Sequence, residues 1–156
     1  MIRYTMILNI RRSLNIKRDQ RGQALVEMAL SIMLLVLLVF GITEFGRAMY
    51  TKNTLTNAAR AGARAAVVTP ALIPAGTDNA LDCSSTDSVQ KAICISMASI
   101  NSSNVTFKVS DTSGNSPAKT NDTIDVTVTL MNYQSVVPKL ISLPSTLTGE
   151  ASMRYE

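Results

Sequence analysis

Ala24 to Ile42 read ALVEMALSIMLLVLLVFGI, a run whose only charge is Glu27. At about 1.5 Å per residue a helix of this length covers roughly 28 Å, close to the bilayer core of about 30 Å. The stretch therefore predicts a membrane-spanning helix, and the rest of the chain is organised around it. Three readings of such a segment compete. A cleaved secretory signal needs a small-residue cut site after the apolar core, and Phe45–Tyr50, FGRAMY, sets Arg47 in that place. A plain anchor explains the length but not Glu27. An anchor that is itself processed upstream explains both.

Charge is distributed unevenly. The chain has 156 residues, a net charge of +4 and a pI near 9.3. Residues 1–22 carry Arg3, Arg11, Arg12, Lys17, Arg18 and Arg21 against Asp19 alone, so the remainder is close to neutral. Basicity confined to a tail before an apolar helix suits anionic lipid and retention of the N-terminus in the cytoplasm. The match is imperfect, because Arg47, Lys52, Arg60 and Arg64 come after the helix. Nucleic acid is not an expected partner: four tyrosines and three phenylalanines, with no tryptophan, do not interleave with a basic patch as stacking on single strands requires. The chain lacks histidine, which removes Ser-His-Asp and Cys-His pairs and every His-containing zinc site. Neither a P-loop nor GxGxxG occurs. No catalytic residue, metal ligand or cofactor is expected: the usual signatures of an enzyme are missing, which does not exclude one.

Glu27 sits about one turn inside the apolar run. A carboxylate within a spanning helix costs about 2.5–3.5 kcal/mol at the centre and less near an end. If the chain were cut after Gly22, Gln23 would carry a new α-amine four residues from Glu27, on the same helix face. Amine and carboxylate, in one chain or in neighbours, would then neutralise each other. The alternative is an acid that snorkels to the headgroups.

The order basic leader, Gly22, four residues, Glu27 and an apolar helix resembles the processing pattern of type IV prepilins. The longer string from Arg21, RGQALVEMAL, with TNAARAGARAAV further on (residues 56–67), resembles the TadE-like minor pseudopilins of the tight adherence (Tad, or Flp) pilus system. The ending ASMRYE matches more weakly. The resemblance implies cleavage after Gly22 by a prepilin peptidase, where a glycine leaves the backbone free to extend. It also implies docking through Glu27 and no enzymatic activity. Implied partners are that peptidase, other Tad pseudopilins and the major Flp pilin, the inner-membrane assembly platform and membrane lipid. The expected role is pilus assembly, with adherence and biofilm formation downstream. One departure stands out: the family carries Phe or Tyr after the glutamate, where this chain has Met28.

The expected organisation is a basic leader (1–22), a transmembrane segment (23–48), an extramembrane continuation of the helix (49–68) and a periplasmic α+β domain (69–156). Gly41 and Gly46 are positions where the helix can bend. Glu44 and Arg47 are spaced as an exposed i,i+3 pair of little worth. Asn53, Asn57, Arg60 and Arg64 form a polar stripe. Opposite them Leu55, Ala58, Gly62 and Ala66 (or Ala65) form a narrow packing seam, for the chain's own distal domain or for neighbouring subunits.

Pro70, Pro74 and Gly76 predict the end of the helix. A second helix is expected within residues 84–101, capped by Ser84 with Asp87 or by Thr86, with Val89, Ile93, Met97 and Ile100 on one face. Alternation at Val105, Phe107 and Val109, and at Ile124, Val126, Val128 and Leu130, predicts two antiparallel strands joined by loop 110–122. Pro138 and Pro144 interrupt the next segment, and a third strand holds Leu147, Ala151, Met153 and Tyr155 across Gly149. One helix and about three antiparallel strands make a small, pilin-like α+β domain on a long helical stalk. Cys83 and Cys94 form a disulfide if the domain faces an oxidising compartment, and are two reduced thiols otherwise.

Overall fold

The computed structural model describes residues 20–69, 76–111, 121–135 and 144–155. The basic leader up to residue 19, Pro70, Pro74, Pro138 and most of loop 110–122 lie outside the described residues. Helix α1 (Gln20–Val68) runs unbroken through Gly41 and Gly46. Its apolar part has a mean hydropathy of 2.7 and is wholly exposed, so α1 is long and apolar enough to cross a membrane. The chain divides into two compact units, residues 1–38 and 39–156.

The second unit is the α+β domain. After α1 come β1 (Asn79–Ala80), α2 (Ser88–Ser96), a short 3-10 turn (Ser102–Asn104), β2 (Val105–Asp111), β3 (Thr123–Leu130) and β4 (Leu147–Arg154). The four strands form an antiparallel meander in the order β1-β2-β3-β4. The predicted strands are β2, β3 and β4. The fourth, β1, is two residues long and pairs Asn79 with Phe107, too short for any periodic signal.

Helix α2 is shorter than expected. Asp87 itself is the N-cap, its Oδ1 accepting from the Val89 N–H, and the helix closes at Met97. Neither Ser84 nor Thr86 caps it. Val89, Ile93 and Met97 are buried all the same, with Ile100 packed beside them.

One face of the sheet is covered. Val105, Phe107, Val109, Ile124, Val126 and Val128 alternate inward and join Leu55, Ala58, Ala59, Ala63 and Ala66 of α1 in a single core. Two glycines mark close approaches of α1, one to β4 and one to α2. A Cβ at Gly149 would stand 2.3 Å from the backbone of Leu55 and Thr56, and one at Gly62 would stand 2.8 Å from Ile93. Backbone touches backbone at Gly149, so β4 needs a residue without a side chain at this inward position.

Candidate functional site

The residues singled out in the sequence fall in three places along α1. Gly22, Gln23 and Glu27 lie in its first turns, all exposed. Gly22, placed by the sequence just outside the helix, is inside it, because α1 already begins at Gln20. A Cβ at Gly22 would meet nothing within 4 Å, so the fold itself makes no demand for glycine there. Glu27 presents its backbone carbonyl to the Ser31 hydroxyl at 2.9 Å, a local bond that tucks one polar side chain against the helix.

Farther along, at the end of the apolar run, Glu44 differs from its expected place. It is 2 % exposed, although the spacing with Arg47 suggested a solvated surface pair. Tyr133, just beyond β3, donates to Glu44 Oε1 at 3.4 Å, while Arg47 Nη1 lies 3.6 Å from Glu44 Oε2. Burial and the Glu44 carboxylate raise the Tyr133 phenol above its ordinary range, since both disfavour a second negative charge. Tyr133 escaped sequence reading because it sits at the end of a strand pattern with no spacing to link it to a residue 89 positions earlier. The domain thus begins to cover α1 at Glu44.

The third place is the stretch Leu55–Ala66. Leu55, Ala58, Gly62 and Ala66 are all buried, in the chain's own core. Two bonds tie this part of α1 to α2 and its surroundings: Tyr50 Oη to Ser99 Oγ at 3.1 Å and Thr69 Oγ1 with Ser88 Oγ at 2.8 Å. Cys83 and Cys94 are joined in a disulfide with a Cα–Cα distance of 5.6 Å, which staples the loop before α2 to the helix. Near it, exposed Asp82 accepts from the Ser84 hydroxyl at 2.6 Å and from its N–H at 2.9 Å. Those two bonds, side chain first, hold its carboxyl below the usual range. Among the described residues no group of three or more Cys, Asp or Glu is arranged to hold a metal ion.

The geometry is that of a long apolar helix and a packed domain. The family model described as TadE-like protein matches residues 22–64. Residues 22–64 are TadE-like. The TadE-like segment opens on Gly22, takes in the apolar run and Glu44, and ends in the Ala/Arg block against the sheet. No curated protein matches the chain, and no solved structure does.

Proposed function

We propose that the chain is a minor pseudopilin of a Tad-type pilus, cut after Gly22 by a prepilin peptidase and acting in pilus assembly, adherence and biofilm formation. The observation that carries this reading is a TadE-like match that opens on Gly22 and runs through the apolar helix. Its support is twofold. Gly22 has open space around it, so the need for glycine comes from something outside the fold, such as a protease cleft. The Cys83–Cys94 bond fits an oxidising periplasm, and the six basic residues before the apolar run fit a cytoplasmic N-terminus.

The mechanism is mechanical. The leader keeps the precursor N-in in the bacterial inner membrane, and cleavage frees the Gln23 amine. The Glu27 carboxylate pairs with such an amine, its own or a neighbour's, in an apolar packing where an unpaired charge is costly. Other Tad pseudopilins, the major Flp pilin and the assembly platform are the partners in the subsequent extraction from lipid.

One observation favours a second reading, an unprocessed single-pass tether for a periplasmic binding module. Helix α1 is continuous across Gly22 and Gln23, whereas a protease binds extended backbone. Unwinding that first turn is made easier by glycine, which weakens a helix by about 1 kcal/mol relative to alanine. The N-terminus of the protein recovered from host membranes decides: Gln23 is expected, and Met1 would establish the tether. With cleavage intact, Glu27→Ala is expected to abolish pilus assembly and surface attachment. Unchanged attachment would remove the docking role from Glu27.

A further inference from the structure

Helix α1 and the sheet each have a covered and an open face, and a groove in the open sheet face is lined by charge opposite to that on the open face of α1. On α1, Arg60 and Arg64 stand two residues either side of buried Gly62, which puts them roughly opposite the face that packs on the sheet. Both are exposed, and among the described residues neither forms an ion pair. They are one helical turn apart, with Asn57 and Asn53 continuing the stripe.

On β3 and β4, Asp125, Thr127, Glu150 and Ser152 alternate with the inward Ile124, Val126, Gly149 and Ala151 and therefore line the opposite face of the sheet. Together with Ser110 they border an open groove of about 470 Å³. Lys108 and Arg154 also stand on this face, but neither lines the groove. In the strand register Asp125 faces Ser152 and Thr127 faces Glu150, so the two carboxylates are diagonal neighbours. Diagonal neighbours are about 7–8 Å apart, and i,i+4 residues on a helix about 5–6 Å, a mismatch that arginine side chains span easily. Neither carboxylate has an ion-pair partner among the described residues.

We propose that Arg60 and Arg64 of one copy dock into the Asp125–Glu150 groove on the open sheet face of a second copy of this chain. Planar guanidinium groups suit a groove offering two carboxylates and three hydroxyls. The two surfaces lie on opposite sides of one domain, so the contact is head-to-tail and each copy keeps a free surface for the next. The proposal rests on single-pass anchoring and is independent of cleavage after Gly22.

The test uses the full chain in vesicles of neutral phosphatidylcholine, with the photo-crosslinker p-benzoylphenylalanine at Thr127. Illumination is expected to join Thr127 to a peptide containing residues 57–64 of a second copy. The double variant Arg60→Glu, Arg64→Glu lowers that product about fivefold or more, as does raised salt. Mixing this variant with probe-bearing copies that carry Asp125→Lys and Glu150→Lys restores it. Since all four side chains are at least partly exposed, an unchanged far-UV spectrum and an intact Cys83–Cys94 bond confirm that the variants fold. A crosslink to another segment, an absent one, indifference to charge reversal, or no recovery in the charge-swapped mixture overturns the proposal. A Met1 N-terminus with the crosslink present would overturn only the processing.

Discussion

The two ends of α1 obey opposite rules. From residue 22 to 40 every side chain is exposed, and large ones such as Leu25, Leu35 and Phe40 face outward on all sides. From Leu55 to Ala66 the buried positions are one leucine, one glycine and alanines. An apolar helix with no internal partner requires an apolar solvent around it. A helix that seats against a sheet requires small residues where backbones approach. Glycine marks the contrast: open space surrounds Gly22, Gly41 and Gly46, while Gly62 and Gly149 have no room for a methyl group. The same residue type therefore has no packing role at one end and a tight one at the other.

Gly149→Ala puts the most pressure on this contrast. A methyl 2.3 Å from the Leu55 and Thr56 backbone cannot be relieved by a rotamer change, and the expected loss is about 3 kcal/mol or more. Chemical denaturation of the distal domain measures it, and Gly46→Ala, with nothing near it, is the control that brings no loss, its helical position gaining at most about 1 kcal/mol. Next comes a leucine pair. Leu55→Ala empties a fully buried site and is expected to cost about 2–5 kcal/mol, whereas Leu35→Ala leaves the domain's unfolding midpoint unchanged.

Smaller effects arise at the domain's edges. Asp87→Ala removes the α2 cap and is expected to cost about 1 kcal/mol, within the usual range of 0.5–2; amide exchange in α2 reads it locally. Tyr133 gives a pH signature. Its phenol is raised in the folded state, so its contribution is complete below the ordinary tyrosine value of about 10 and is lost as pH rises through the folded value. Stability of the wild-type domain should therefore fall on the alkaline side more steeply than that of Tyr133→Phe, by pH-dependent denaturation.

Much of the fold was legible because its signals are local. Unbroken apolarity predicts the first half of α1, and period-two alternation predicts β2, β3 and β4, where neighbours in sequence report on the same surface. Helix α2 was legible in its buried face but not in its limits, since Asp87 had to be chosen over Ser84 by backbone geometry. The two residues of β1 carry no period at all. At the candidate site, Gly22 and Glu27 were visible as a spacing. Glu44 was misplaced because a partner of its carboxylate, Tyr133, reaches α1 from the far end of β3.

Composition and period were enough to locate the need for an apolar solvent, the charges of the leader and the residues that alternate along each strand. None of these requires a partner elsewhere in the chain. The burial of Glu44 and the backbone contact at Gly149 emerged with the folded domain alone. Each of those depends on two segments distant in the chain arriving at one place, and no residue carries that distance in its own chemistry.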